Sequence, residues 1–169
     1  MKIQAAAVLV LACFSVAQAD PRWVTGTYRN PALGYSIKVP SGLRGKTGDQ
    51  SGPERGIGVE LSSGGTMSVY GEPNSLEWTS DTEGIRWALD NEKCSSNQQP
   101  DISRALVGTL TGAKGKLVCN GQLLEILLVF RTGGGPIYWV TLRTDITHAA
   151  KDEAVFNDFA ASFKLIRWQ

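Results

Sequence analysis

The chain has 169 residues, of which 17 are basic, 16 are acidic and one is histidine, so its formal net charge at pH 7 is +1. A chain of this length corresponds to one domain with a sizeable core. Its near-neutral balance provides no excess of basic charge with which to attract nucleic acid or an anionic lipid surface. We therefore expect no nucleic-acid partner.

The first 19 residues have the pattern of a secretory signal peptide. Lys2 precedes an apolar run at residues 5–16, and an Ala-Gln-Ala tripeptide ending at Ala19 suits signal peptidase. The run is too short for a permanent membrane span, which needs about 20 residues. The sequence predicts a signal peptide at residues 1–19 and a periplasmic or secreted mature protein, residues 20–169, with no transmembrane segment.

A different interpretation attaches to Cys13. Residues 10–13, Val-Leu-Ala-Cys, resemble a bacterial lipobox, in which the cysteine would be acylated and would tether the protein to a membrane. The apolar stretch before Cys13 is short for a signal peptide, and an ordinary cleavage site follows at Ala19. We therefore favour the free protein, with a lipid anchor at Cys13 as the alternative.

Removal of the signal peptide leaves two cysteines, Cys94 and Cys119, and equal numbers of basic and acidic residues. An even number of cysteines in an exported protein is most simply a disulfide. Their separation of 25 residues is unlike a redox-active Cys-x-x-Cys motif. The sequence therefore predicts a structural disulfide between Cys94 and Cys119.

The N-terminal part of the mature chain is predicted to form short strands. Residues 23–28 are one candidate, and residues 35–39 alternate apolar and polar side chains, as in a half-buried strand. Residues 41–56 contain five glycines and have no apolar period, which predicts a long exposed loop. Two further strands, at residues 57–61 and 66–70, are predicted to form a hairpin.

A helix is predicted next in the chain. Ser80 and Glu83 form a capping box, and apolar residues keep helical spacing as far as Cys94. A start at Asn74, with Glu77 three residues on, is the alternative.

The last third is predicted to contain a β-meander followed by a helix. The third meander strand is apolar on both faces, as expected of a central strand that is covered on both sides. The last helix carries one apolar stripe. The predicted elements are strands at 102–110, 116–119, 123–131 and 137–144, a turn at 111–115, a helix at 148–162 and a closing strand within 163–168.

Two short motifs resemble the PsbP-like superfamily. Residues 30–40, Asn-Pro-Ala-Leu-Gly-Tyr-Ser-Ile-Lys-Val-Pro, are similar to its N-terminal strand. Phe156, together with the Ser-Phe-Lys-Leu segment at residues 162–165, is similar to the end of its C-terminal helix. The superfamily includes the photosystem extrinsic subunit PsbP, a Ran-binding import factor and many bacterial envelope proteins.

The resemblance implies an α+β fold in which an antiparallel β-sheet is flanked by helices, an α/β/α sandwich, in a single domain over residues 20–169. It also implies a protein that binds partners rather than an enzyme. The motifs mark the fold and transfer no functional residue.

Residues with catalytic chemistry are sparse. His148 is the only histidine in the sequence and stands at the start of a predicted helix, where a solvated side chain is the simplest interpretation. The sequence contains no G-x-S-x-G, S-x-x-K or H-E-x-x-H motif. We expect no catalytic residue, no metal site and no cofactor.

Two charged residues interrupt an otherwise apolar strand. Glu125 and Arg131 are most simply members of ordinary ion pairs on the sheet. The alternative is a small-molecule carrier or hydrolase with a cleft around Glu125, Arg131 and Arg143.

The loop at residues 41–56 is the predicted binding segment, because loops on rigid scaffolds often carry recognition. A solvated connector is the plain alternative. The leading hypothesis is a non-enzymatic exported protein that binds a protein partner in the periplasm or cell envelope. The alternative is a periplasmic enzyme inhibitor or immunity protein that acts through this loop. The candidate binding residues are Arg44, Lys46, Asp49, Glu54 and Arg55.

Overall fold

A computed structural model describes residues 22–48, 55–94, 99–130 and 135–166. The predicted signal peptide lies outside these residues, so its cleavage and the start of the mature domain stay predictions. Four residues singled out above also lie outside them: Cys13, Asp49, Glu54 and Arg131.

The described chain has more β-strand than helix, with one helix in its middle and one near its end. The helices are α1, Asp81–Asp90, and α2, Ala149–Ala161. Neither helix is long and apolar enough to cross a membrane. The strands are β1 Trp23–Val24, β2 Thr27–Asn30, β3 Tyr35–Lys38, β4 Gly45–Thr47, β5 Gly56–Glu60, β6 Thr66–Glu72, β7 Asp101–Val107, β8 Leu110–Cys119, β9 Gln122–Phe130, β10 Ile137–Asp145 and β11 Lys164–Leu165.

The strands form two antiparallel sheets. The larger sheet has the strand order β1-β4-β5-β6-β10-β9-β8-β7, and the smaller has the order β11-β3-β2. Helix α1 packs on one face of the larger sheet, while α2 and the smaller sheet cover the other. The predicted α+β fold, an antiparallel sheet between two packing helices in one domain, is confirmed. The smaller sheet is an addition that the sequence did not predict.

The core beneath α2 is rich in aromatic side chains. Tyr35 and Tyr138 keep their hydroxyl groups bonded inside it: Tyr35 donates to the carbonyl of Arg55 at 2.8 Å, and Tyr138 to that of Leu33 at 2.7 Å. Large apolar rings are thus buried without leaving a phenol unsatisfied. The largest aromatic side chains buried here are Tyr35, Tyr138, Phe156, Phe159 and Phe163.

The core beneath α1 depends on a close approach between the helix and the sheet. Ile85 and Leu89 of α1 are buried against β8 and β9. Opposite them lies Gly115 of β8, where an added Cβ would stand 2.5 Å from Ile85 Cγ2 and 2.6 Å from Leu89 Cδ1. Strand β9 is buried on both faces along almost its whole length, which confirms its prediction as a central strand.

We expect Gly115→Ala to push α1 away from the sheet. The added methyl group has no room, so the substitution should lower the free energy of unfolding by about 1–3 kcal/mol. Urea unfolding followed by tryptophan fluorescence checks this value, because Trp87 belongs to the displaced helix. Thr111→Ala, at an exposed position of the same strand, is the control and should change stability by less than about 0.5 kcal/mol. Equal stability of the two variants would contradict the expectation.

The helix start confirms Ser80 as the predicted N-cap, and the return bond from the backbone to Glu83 comes from Thr79, one residue before the cap. Ser80 Oγ accepts the backbone N–H of Glu83 at 3.2 Å, and Glu83 Oε2 accepts the N–H of Thr79 at 3.0 Å. The alternative start at Asn74 is not observed. The Asn74 side chain instead lies in a loop and forms two hydrogen bonds with the backbone of Trp78. The helix also ends at Asp90, before the predicted end at residue 94.

The turn between β7 and β8 differs from its prediction. Residues 111–115 lie inside β8, and the chain turns at Gly108 and Thr109. Gly108 has a φ of +61°, which favours glycine. Gly112 serves packing instead, since a Cβ there would lie 2.2 Å from the carbonyl oxygen of Leu128. The prediction was wrong because it took glycines needed for close packing as signs of a turn.

The predicted long loop at residues 41–56 is wrong in part. Strand β4, Gly45–Thr47, pairs with both β1 and β5. Its first residue, Gly45, and its last, Thr47, are buried. A segment of three residues without alternating apolar side chains does not predict a strand. The pairing of β4 with its neighbours could therefore not be predicted from the sequence. The predicted strand at residues 23–28 is likewise divided between the two sheets at Gly26, whose φ is +72°.

Candidate functional site

Helix α1 covers only half of its face of the larger sheet. It packs mainly against β7, β8 and β9. The β6–β10 half of the same face, which we call the open half, is exposed at Thr66 and Arg143 but buried at Ser68 and Trp139. The pairing of β6 with β10 places Ser68 opposite Thr141, Tyr70 opposite Trp139, and Thr66 opposite Arg143. Since directly paired residues point to the same side of a sheet, these side chains line the open half.

A groove of about 320 Å³ runs between the flank of α1 and this open half of the sheet. We call it the α1 groove. Its wall is formed by Trp87 and Ala88 of the helix, and its floor by Tyr70, Trp139 and Thr141 of the sheet. A helix wall beside a sheet floor gives a fixed shape, because both elements are anchored in the core.

Aromatic rings hold one another in position in the groove. Tyr70 and Trp139 stack with ring centroids 6.1 Å apart and planes 18° apart. Trp78 meets Trp139 edge-on at 5.7 Å and lies 5.4 Å from Trp87. Stacked and edge-on pairs are the preferred arrangements of aromatic rings. Trp87 is still 49% exposed, so part of this cluster faces solvent.

Polar groups in the groove are paired with one another. The indole N–H of Trp139 donates to Glu72 Oε1 at 2.8 Å, and Arg143 Nη2 donates to Glu92 Oε1 at 2.8 Å. Burial, followed by the nearby Glu72 carboxylate, raises the pKa of Tyr70, so its phenol stays protonated as a donor. The groove therefore presents aromatic surface with a charged pair at one end.

The loop before α1 supports the aromatic cluster. Asn74 Nδ2 donates to the Trp78 carbonyl at 2.8 Å, and Trp78 N–H donates to Asn74 Oδ1 at 3.1 Å. Glu77 between them has a φ of +55°, which is uncommon for a residue with a side chain. Two hydrogen bonds thus hold a strained backbone that places Trp78 against Trp139.

The predicted disulfide is present and fastens the C-terminal end of the groove wall. Cys94 and Cys119 have their Cα atoms 5.3 Å apart, within the range of disulfides. Cys94 follows α1 by four residues, and Cys119 ends β8. The bridge ties the chain just beyond Glu92, a groove residue, to the sheet.

The predicted binding residues are spread apart. Arg44 lies over the exposed ring of Trp23, 5.4 Å from its centroid, at the β1–β4 edge. Lys46 lies in β4 on the same face, opposite Trp23. Arg55 lies beside the α1 groove, with its Nη1 4.0 Å from Glu72 Oε2. The structure therefore brings Arg55 to the groove and leaves Arg44 and Lys46 at the far edge; their role in binding stays a prediction.

The alternative cleft around Glu125, Arg131 and Arg143 is not formed by the residues that the structure describes. Glu125 pairs in register with Leu142, so Glu125 and Arg143 point to opposite faces of the sheet. Glu125 is 1% exposed and contacts Lys114 Nζ at 2.7 Å and Lys116 Nζ at 3.2 Å. The simpler interpretation of Glu125, an ordinary ion pair on the sheet, is confirmed.

Lys116 also pairs with Glu153 of α2, which joins the helix to this cluster. Burial acts to lower the pKa of Lys116, but the hydrogen bond that Lys116 donates to Glu153 and the charge of Glu125 outweigh burial, and the pKa is raised. The lysine is thus held in its charged form by two carboxylates. This cluster is a structural contact between α2 and β8.

His148 stands at the N-terminal end of α2, is exposed, and makes no capping hydrogen bond with its side chain. This confirms the interpretation of a solvated side chain. Among residues 22–48, 55–94, 99–130 and 135–166, no three histidine, cysteine, aspartate or glutamate side chains lie together as a metal site would require.

Sequence reasoning missed the groove residues Tyr70, Trp87 and Trp139. A signal was present in β6, where Thr66, Ser68, Tyr70 and Glu72 alternate with apolar residues. Such alternation marks a strand with one face uncovered. It does not show that the open face adjoins a helix carrying an exposed tryptophan.

The architecture is that of an α+β domain with the PsbP fold. It superposes on CyanoP, the cyanobacterial PsbP of Synechocystis sp. PCC 6803, with a TM-score of 0.56 and 12% identity, over 91% of this chain and 97% of that one. The resemblance to the PsbP-like superfamily is confirmed at the level of fold.

Other solved structures are also similar. A protein of Bacteroides thetaiotaomicron VPI-5482 has a TM-score of 0.50 and 14% identity over 85% of this chain, which spans 49% of that protein. LpqN of Mycobacterium tuberculosis, described as involved in cell envelope biogenesis, has a TM-score of 0.39 and 10% identity over 88% of this chain and 85% of that one, too low a score to support an inference. No family model matches the chain, and no curated protein matches it.

Proposed function

We propose that this is an exported, non-catalytic protein that binds a protein partner in the periplasm or cell envelope through the α1 groove. The observation that carries the proposal is the aromatic cluster of Tyr70, Trp87 and Trp139, which is fixed by its neighbours and partly open to solvent. The Cys94–Cys119 disulfide supports the compartment, because disulfides persist where the environment is oxidising.

The composition of the groove suits a protein partner. Tryptophan, tyrosine and arginine are the residues enriched at interface hot spots, and the groove contains all three in Trp87, Tyr70 and Arg143. A rigid aromatic anchor loses little conformational entropy when it is covered. The exposed side chains of Thr66 and Arg143 beside it offer further surface for the same partner.

The absence of enzymatic activity is part of the proposal. The carboxylates of the groove, Glu72 and Glu92, are engaged by Trp139 and Arg143. Within the described part of the groove, no nucleophile stands beside a base in the arrangement that covalent catalysis needs.

Trp87→Ala should abolish capture of the partner from envelope extract by the mature protein, residues 20–169. Because Trp87 is half exposed, the substitution should change the free energy of unfolding by about 1 kcal/mol or less. Affinity capture with mass spectrometry, alongside thermal unfolding, checks both parts. Ile146→Ala, an exposed apolar residue away from the groove, is the matched control and should capture normally.

Capture of the same protein by both variants would overturn the α1 groove as the binding surface. Co-purification of a small molecule that Trp87→Ala releases would instead indicate a small-molecule carrier that uses the α1 groove.

A further inference from the structure

The larger sheet has two edges of very different length. At one end β1 contains two residues, and at the other β7 contains seven, Asp101–Val107. No strand within the described residues pairs with the outer side of β7. An unpaired edge strand presents a row of backbone N–H and C=O groups that an extended segment of another chain can bind. Of the two edges that the larger sheet has within the described residues, the β7 edge is the longer and can pair with an extended segment over more of its length.

The β7 edge also has the exposed side chains that such a contact would use. Leu106 is 68% exposed, and Arg104 is exposed beside it. Ile102, Arg104 and Leu106 pair in register with Gly115, Ala113 and Thr111, so all three lie on the face that carries α1. Natural edge strands are commonly short or covered, whereas β7 has seven residues and no neighbouring strand on its outer side among the described residues.

A cavity lies where the β7 edge meets α1. It has a volume of about 640 Å³ and is lined by Arg86 and Asp90 of the helix, by Gln99 and Pro100, and by Asp101 and Ile102. Arg86 and Asp90 are one helical turn apart, on the flank of α1 opposite to the α1 groove. An extended segment added to β7 would therefore be bordered by a helix on one side, as in domains that bind peptides between a strand and a helix.

We infer that the β7 edge is a docking site for an extended segment of a partner protein, with an apolar-x-acidic-x-apolar-basic pattern. The segment runs antiparallel to β7. Its first and second apolar residues pack on Leu106 and Ile102, and its acidic residue lies opposite Arg104. Its basic residue lies opposite Asp101. Among the described residues neither Arg104 nor Asp101 has an ion-pair partner, so both charges are available to the segment.

A second copy of this chain fits the edge less well. Antiparallel self-pairing that brings Leu106 onto Ile102 of the other copy places the two Arg104 side chains directly opposite each other. Like charges at paired positions are destabilising. The antiparallel register that sets Arg104 opposite Asp101 of the other copy instead leaves Leu106 opposite Gln99, without an apolar partner. A different chain, with an acidic residue opposite Arg104 and apolar residues opposite Leu106 and Ile102, meets both requirements together.

The test is a titration of the mature protein with a capped hexapeptide of sequence valine-threonine-glutamate-threonine-valine-lysine, followed by amide NMR shifts. We expect shifts along β7 and at Arg86 and Asp90, and none at Trp87 or Trp139. Arg104→Glu should weaken binding at least tenfold. A peptide with lysine in place of glutamate should restore binding to that variant, because the charges are then exchanged.

Arg29→Glu, the same charge reversal on an exposed position of β2, is the matched control and should bind as the unsubstituted protein does. The inference is overturned if the peptide shifts no β7 amide at millimolar concentration, or if Arg104→Glu binds equally well. It is also overturned if sedimentation shows a dimer and amide exchange shows that the outer edge of β7 is protected in it. The α1 groove is tested by a different variant, Trp87→Ala. The proposal for one site can therefore be overturned while the proposal for the other holds.

Discussion

Replacing Cys94 and Cys119 together by serine should lower the free energy of unfolding by about 3.5 kcal/mol. The bridge closes a loop with a sequence separation of 25 residues. On the chain-entropy model a loop of that size restricts the unfolded chain by about this amount at 25 °C. For a domain of this length the loss corresponds to a fall in melting temperature of about 7–14 °C. Calorimetry of the oxidised protein and the double variant measures it.

Removal of the bridge should also loosen the C-terminal end of the α1 groove in the folded protein. Glu92, at the end of the groove, is two residues from Cys94, so the released segment is the one that holds the Arg143–Glu92 pair. The single variants Cys94→Ser and Cys119→Ser should each match the double variant. A double variant that melts with the oxidised protein would show that the bridge adds nothing to stability.

Asp152→Ala should lower the free energy of unfolding by about 3–5 kcal/mol, a large part of the 5–15 kcal/mol typical of a domain. Asp152 is 2% exposed in the first turn of α2. Its Oδ2 accepts hydrogen bonds from Ser63 Oγ at 2.6 Å and from Thr144 Oγ1 at 2.5 Å. Alanine leaves two hydroxyl groups without their acceptor, and each bond to a charged group contributes about 1.5–3 kcal/mol.

Two further variants separate the acceptor from the charge. Asp152→Asn keeps an oxygen in place, so we expect a loss about half that of alanine. Asp158→Ala removes an exposed carboxylate from the same helix and should change stability by less than about 0.5 kcal/mol. Urea unfolding of the three variants ranks them. If Asp152→Ala unfolds at the same concentration as Asp158→Ala, the buried carboxylate does not join α2 to the sheet as described.

The elements with a strong local pattern were predictable. The N-cap at Ser80, the central strand β9 and the apolar stripe of α2 depend on near neighbours in the chain. The disulfide followed from two cysteines in a chain with a signal-like start. Structure of this kind is determined by a few residues that are close together in the sequence.

The features that failed depend on contacts between distant residues. Gly112 and Gly115 allow β9 and α1 to approach β8, and this requirement exists only once the sheet has formed. Strand β4 gains its order from its two neighbours rather than from its own sequence. The α1 groove has the same origin, since Tyr70 and Trp139 are far apart in the chain and meet through the pairing of β6 with β10.

That pairing has a consequence for how the domain assembles. Strands β4, β5 and β6 follow one another in the chain and pair in sequence, as do β7, β8, β9 and β10. Only the β6–β10 pairing joins the two groups, and contacts of long sequence separation form late because closing a long loop is entropically costly. The floor of the α1 groove contains residues from both groups of strands, Tyr70 of β6 and Trp139 of β10. A partner bound there contacts both groups of strands at once, and it therefore stabilises their pairing by an amount that grows with the logarithm of its concentration above Kd.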